Sequence, residues 1–199
     1  MVRALDLSTF SAWEDLAARH SGAGMGCWCT WFHPTQKEEG IAPPLSGPER
    51  KRQLVEQGRA HAALVFDGDS AVGWCQFGTP DELPRIHHRK EYLARAEVFP
   101  DYRITCIFIA RRRRRQGIAA VAVDGALELI ATAGGGLVEA YPQDVPDGAK
   151  VSASFLFSGT RSLFEHAGFT YLRPKGKNHC VMSRTVESRA ADAAQRVSR

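Results

Sequence analysis

The stretch Ile104-Thr-Cys-Ile-Phe-Ile-Ala-Arg-Arg-Arg-Arg-Arg-Gln-Gly-Ile-Ala119 joins an apolar run to five consecutive arginines and then a glycine. At its centre is the spacing Arg114-x-x-Gly117-x-Ala119. If a strand ends near Ile109 and a helix starts near Arg115, the first helical turn offers N–H groups without intrahelical acceptors and a partial positive charge. Small residues at 117 and 119 let a bulky anion approach that backbone, and the flanking guanidinium groups add bidentate contacts. A diphosphate suits such a corner. The same residues also read as a solvated turn, or as a basic run for nucleic acid or localisation. Neither the G-x-x-x-x-G-K-[ST] phosphate loop nor the G-x-G-x-x-G dinucleotide fingerprint occurs.

Two further groups of residues can carry chemistry. Glu139 stands in the β-type run Val138-Glu-Ala-Tyr141, where a carboxylate is unusual. It is the candidate general base, or else a salt-bridged sheet residue; His87, His88 and Tyr141 are lesser candidates. The second group is Gly26-Cys-Trp-Cys-Thr-Trp-Phe-His33. Cys27, Cys29 and His33 supply three ligand types, but C-x-C-x3-H does not match common zinc spacings and no second cluster completes it. No metal is expected there. The segment reads as an aromatic plug that packs the first helix onto a sheet.

The elements that must position these residues follow from periodicity and turn signals. Val2–Leu7 is a short strand. Ser8–His20 is a helix with Phe10, Trp13, Leu16 and Ala17 inward and Ser8 or Thr9 as cap. Ser46, Pro48 and Glu49 start a second helix with a capping box, which stops at Gly58. His61–Phe66 and Ala71–Phe77 form a hairpin through Asp67-Gly68. Residues 78–101 are irregular, with a short helix near Glu91–Glu97. Tyr102–Ile109 is a strand, and Arg115–Thr132 a helix with Ile118, Val121, Gly125 and Leu129 on one face. Leu137–Tyr141 is a strand, Gly159–His166 a short helix, and Phe169–Leu172 with Cys180–Arg184 a closing hairpin. Val186–Arg199 is a polar tail.

The chain has 199 residues, 44% of them apolar and 24% charged, which fits one globular domain with a full core. No apolar run is long enough to span a bilayer, and Met1–Ser8 has no apolar leader core, so a cytoplasmic protein is expected. Five cysteines, an odd number, read as reduced thiols. The net charge is +4. It is unevenly spread: from Leu172 onward there are seven basic against two acidic residues, whereas residues 1–171 without the arginine run hold 14 basic against 20 acidic. One basic knot on an acidic body suits a local anionic ligand better than a long nucleic-acid track.

Ile109 followed by Arg114-x-x-Gly117-x-Ala119, then Leu137–Tyr141, then Ser162-Leu-Phe-Glu-His-Ala-Gly-Phe169, resembles the GNAT acetyltransferase superfamily in order and spacing over about residues 60–185. The resemblance implies a single α/β (α+β) domain over residues 1–185, whose helical N-terminal segment, residues 1–58, borders the acceptor cleft. It implies a mixed central sheet of six to seven strands, splayed in the middle, with helices on both faces. It further implies acetyl-CoA as acyl donor, with no metal. The diphosphate would meet Arg114, Arg115, Gln116, Gly117, Ile118 and Ala119. The pantetheine arm would lie along Ile107, Phe108 and Ile109, and the nucleotide end near Ser158 and Phe164. Trp28, Trp31, Phe32 and Trp74 would wall the acceptor cleft, with Glu139 as base. Phe164 stands where the family often has a tyrosine, so the usual proton donor is missing. The expected activity is direct transfer of acetyl to a primary amine on a small molecule or peptide, by a monomer or homodimer that uses no nucleic acid and no membrane. The alternatives are a non-catalytic acyl-CoA sensor, or a nucleic-acid module built on Arg111–Arg115.

Overall fold

The computed structural model describes residues 1–22, 26–144 and 153–189. The expected tail from residue 190 onward lies outside them. Seven strands form one sheet: β1 (Val2–Ala4), β2 (His61–Asp67), β3 (Ser70–Gly78), β4 (Tyr102–Ile109), β5 (Gly136–Ala140), β6 (Thr170–Lys175) and β7 (His179–Val186). Their order is β1-β2-β3-β4-β5-β7-β6. Only β4 and β5 pair in parallel; every other neighbouring pair is antiparallel.

Helices α1 (Phe10–Ala18), α2 (Gly47–Glu56) and α3 (Arg89–Arg95) lie on one face. Phe10, Trp13 and Leu16 of α1, Leu54 of α2 and Tyr92 of α3 are buried there with Leu64 and Trp74 from the sheet. The α2 start is as expected: Ser46 and Glu49 form a reciprocal capping box ahead of Pro48, and Gly58 terminates the turn at φ +66°. Helices α4 (Ile118–Thr132) and α5 (Arg161–His166) cover the other face.

The inward face of α4 differs from the periodicity reading. Ala122, Val123, Gly125, Ala126, Leu127 and Ile130 are buried, whereas Val121 is 43% exposed. Small residues decide this orientation. A Cβ on Gly125 would come within 2.5 Å of Val2 and 3.3 Å of Ala63, so the helix settles on its narrow face.

The sheet opens between β4 and β5. Their register runs only from Tyr102↔Val138 to Ile104↔Ala140. Beyond it β4 continues to Ile109 paired with β3 alone among the described residues. The β3–β4 ladder also slips: Phe77 pairs with Ile104 and Gln76 with Cys106, so Thr105 is an extra residue in β4. The chain leaving β5 turns away at Pro142 to follow β7, with Cys180 N–H bonded to the Pro142 carbonyl at 3.1 Å. The wedge opens onto the second half of β4, and the 3-10 turn Ala153–Ser158 packs against that strand.

Candidate functional site

The corner after β4 is where the sequence places a candidate anion site. The Ala110 N–H returns to the Val72 carbonyl at 2.9 Å, and Arg111–Arg113 form a 3-10 turn closed by the Arg113 N–H on the Ala110 carbonyl. The helix then starts at Ile118, three residues later than the sequence indicates. Arg115 and Gly117 adopt left-handed backbone, at φ +60° and +76°, and so interrupt it. The first helical bonds run from Ala120 and Val121 N–H to the Gly117 carbonyl, at 3.0 and 3.2 Å. Among the described residues, no protein acceptor is bonded to the N–H groups of Arg114, Arg115, Gln116, Gly117, Ile118 or Ala119.

Side chains hold this loop in shape. Arg114 Nε donates to the Ile109 carbonyl at 3.3 Å and Gln116 Nε2 to the Arg112 carbonyl at 3.2 Å, while Arg113 pairs with Asp67. Arg111, Arg112 and Arg115 are left exposed. Six unbonded amides and a run of arginines thus immediately precede or begin a fifteen-residue helix, at its positive end.

Two hydroxyls on or near β4 lack partners. Thr105 Oγ1, on the bulge, and Ser158 Oγ, on the 3-10 turn against β4, are both buried without a hydrogen-bond partner. Buried hydroxyls normally find one. Together with the unpaired strand edge, they fit a ligand that carries its own amides along β4.

Glu139 lies 2% exposed beside that edge, opposite Arg103 in the β4–β5 register. Its Oε2 accepts from Tyr92 at 2.7 Å and from Tyr141 at 2.8 Å. One carboxylate oxygen is thus bonded to two phenols. Burial pushes the Tyr141 hydroxyl well above its ordinary range; the Arg103 charge opposes this and Glu139 reinforces it. Lys175 is nearby, its Nζ 4.8 Å from the Tyr141 ring centroid and bonded to the His87 carbonyl. Burial brings Lys175 down to about 8 against the pull of Glu91. Sequence reading found Glu139 and Tyr141 but missed Tyr92, Arg103 and Lys175, which come from three other elements.

The expected acceptor wall is only partly a wall. Trp74 is wholly buried and stacks on Phe108 at 4.5 Å. Trp28 seals the α1–α2 connection, so tightly that a Cβ on Gly47 would fall 2.1 Å from its ring. Trp31 remains partly exposed, stacked on His87 at 4.3 Å with Arg85 above it at 5.0 Å. Phe32 packs against His87 and Phe157. Phe164 is fully buried on Phe169 at 5.1 Å, so its ring supports the 159–164 turn from within the core.

Cys27, Cys29 and His33 do not assemble a metal site. Among the described residues no group of three His, Cys, Asp or Glu side chains is placed to hold an ion. Cys29 and His33 instead bond to Gln76, at 2.6 and 2.9 Å. Burial, with the charges of Lys51 and Arg50, drives His33 to about 2. Among the described residues, no helix is long and apolar enough to cross a membrane.

The same architecture recurs in solved structures. A GNAT-family protein from Desulfovibrio desulfuricans aligns over 94% of this chain and 98% of its own, with 16% identity and a TM-score of 0.53. The aminoglycoside 6′-N-acetyltransferase from Enterococcus faecium aligns over 95% and 98%, with 15% identity and a TM-score of 0.53. An aminoglycoside 6′-N-acetyltransferase complexed with coenzyme A gives 95% and 98% coverage, 15% identity and a TM-score of 0.50. No family model matches the chain, and no curated protein matches it. The chain has the GNAT fold: a mixed seven-stranded sheet in one domain, with helices on both faces.

Proposed function

We propose that the protein is an N-acetyltransferase that uses acetyl-CoA and transfers acetyl directly to a primary amine within a ternary complex. One observation carries the reading. Six unbonded N–H groups at residues 114–119 adjoin a strand, β4, whose outer edge is unpaired beyond Ile104 among the described residues. A ligand that combines a diphosphate with an amide-bearing arm matches both features, and coenzyme A is such a ligand. The CoA complex of a structurally similar acetyltransferase supports the same choice.

Each residue then has a task. The amides of Arg114–Ala119 bind the diphosphate, with Arg114 and Arg115 beside it. The backbone of Ile107–Ile109 pairs with the arm like an added strand. An N–H near Ile109 polarises the thioester carbonyl. Tyr141 accepts the amine proton while handing its own to Glu139, so the buried carboxylate acts as base through a relay. Phe164 offers no proton; a thiolate with an ordinary pKa of about 8–9 leaves without one. The acceptor enters past Trp31 and Phe32. A small-molecule amine is favoured, in line with the aminoglycoside enzymes of the same fold.

Calorimetry with CoA, acetyl-CoA and a DNA duplex tests the reading. Micromolar-range binding of both CoA compounds and none of DNA is expected, with loss of CoA binding in Arg114→Ala/Gly117→Glu while the fold persists. Undiminished CoA affinity in that variant, or salt-dependent DNA binding in its place, would overturn it. Free-thiol release across a panel of amines then separates a catalyst from an acyl-CoA sensor.

A further inference from the structure

Away from the acyl chemistry, the face under α1 and α2 holds a buried polar cluster that the proposed reaction does not use. We propose that Cys29 and Cys106 form a reversible disulfide under peroxide, a redox site that ties the α1–α2 connection to strand β4. Cys106 stands opposite Gln76 in the β3–β4 ladder, and the Cys29 thiol donates to Gln76 Oε1 at 2.6 Å. Directly opposed residues in an antiparallel pair have neighbouring side chains on one face. Both sulfurs therefore lie beside the same glutamine, and each perturbs the titration of the other. The other thiols are placed differently. Cys75 points into the opposite core under α4, Cys180 lies on β7, and Cys27 is half-buried on the loop.

The setting equips one sulfur to react and the other to resolve. Lys51 is wholly buried, its Nζ 3.4 Å from the Cys29 carbonyl, and among the described residues no carboxylate lies within salt-bridge distance of it. Burial lowers Lys51, and the charges of Cys29, Cys106 and Cys27 oppose that shift, so ammonium and thiolate favour each other. Burial alone raises the Cys29 thiol, but the neighbouring Cys106 and the Lys51 charge outweigh it and hold Cys29 below its ordinary range. Trp28 and Cys29 also both hold left-handed backbone, at φ +46° and +54°, an uncommon and strained conformation for L-residues. The chemistry balances: the Cys29 thiolate attacks hydrogen peroxide and, with one proton, gives sulfenic acid and water. The Cys106 thiol then displaces the hydroxyl as a second water and forms the S–S bond. Two electrons leave the sulfurs and reduce one peroxide.

The test treats the full chain with hydrogen peroxide near stoichiometry, alkylates free thiols and maps peptides without reduction. Trypsin places Cys29 and Cys106 on separate peptides. The expected result is a 2 Da loss, a cross-link between those peptides, and its removal by dithiothreitol. The link should persist in Cys27→Ser and vanish in Cys29→Ser and in Cys106→Ser. In Lys51→Met it should form severalfold more slowly at pH 7, because one of the influences that favour the Cys29 thiolate is gone, partly offset by the greater nucleophilicity of a more basic sulfur. A link that survives in Cys29→Ser, a Cys27–Cys29 bond, or intact thiols after treatment would overturn the proposal. The mass readout needs neither CoA nor an acceptor, so its failure is separate from failure of the acetyltransferase reading.

Discussion

Replacing Gly117 with alanine separates backbone strain from ligand contact at the anion corner. Gly117 sits at φ +76°, and a Cβ built there has no protein atom within 4 Å. The substitution therefore adds no clash. Its cost to the free protein is the left-handed penalty of an L-residue, about 1–2 kcal/mol. For a domain of this size that lowers Tm by about 2–8 °C. The open space that receives the methyl is where a diphosphate would approach the loop. Losing one hydrogen bond to a charged oxygen costs about 1.5–3 kcal/mol, so CoA affinity should fall at least about tenfold. Gly58 is the matched control: its φ is +66°, its Cβ position is equally open, and it ends α2 rather than starting α4. Scanning calorimetry without ligand and titration calorimetry with CoA read the two effects. Both variants should lose similar Tm, and only Gly117→Ala should lose affinity. Equal CoA binding by the two variants would refute the cradle. A Tm loss much beyond about 10 °C for Gly117→Ala would refute the open space.

Glu139→Gln keeps an acceptor for Tyr92 and Tyr141, so the fold should survive, while turnover slows and its pH profile moves. Tyr141→Phe should slow turnover in the same way, because it removes the relay. An unchanged profile in Glu139→Gln would eliminate the carboxylate as base. Stability should depend on acid through His33. It is held neutral to about 2 in the fold, whereas the unfolded chain takes up the proton near 6.5. Above pH 6.5 both states are neutral and stability is full. As pH falls below that value the unfolded state alone binds the proton, so stability drops by about 1.4 kcal/mol per pH unit. Urea midpoints between pH 6.5 and 5 should show this slope, and His33→Gln should reduce it by one proton whatever its effect at pH 7. A slope unaltered by that substitution would contradict a neutral His33.

Much of the fold around the candidate site was readable in the sequence because it is written locally. Strand β4 matches Tyr102–Ile109 residue for residue, whereas the helix expected from Arg115 starts at Ile118, after the left-handed Gly117. The capping box of α2 was equally local. What was not readable depends on residues far apart. Glu139 looks the same in the sequence whether it meets solvent or two phenols, and Tyr92 reaches it from 47 positions away. Lys51 stands among charged neighbours in Glu49-Arg-Lys-Arg52, with no hint that it would be buried. Trp28 and Trp74 carry the residue type of a binding wall, but the glycines and rings around them turn them into packing.

The extra residue at Thr105 links these observations. In a regular strand, side chains alternate, so Arg103 on the α1–α2 face would place residues 105 and 107 there and send Cys106 toward α4. The bulge resets the phase. Ile104, Ile107 and Ile109 face the α4 core, while Cys106 and Phe108 face α1 and α2. That inversion brings Cys106 beside Gln76 and Cys29, and sets Phe108 against Trp74. It occurs where β4 parts from β5, since the parallel register ends at Ile104. A bulge also adds local twist, which turns the second half of β4 out of line with β5. One inserted residue therefore stands where the β4 edge opens and sets the phase that brings Cys106 to the face of Cys29.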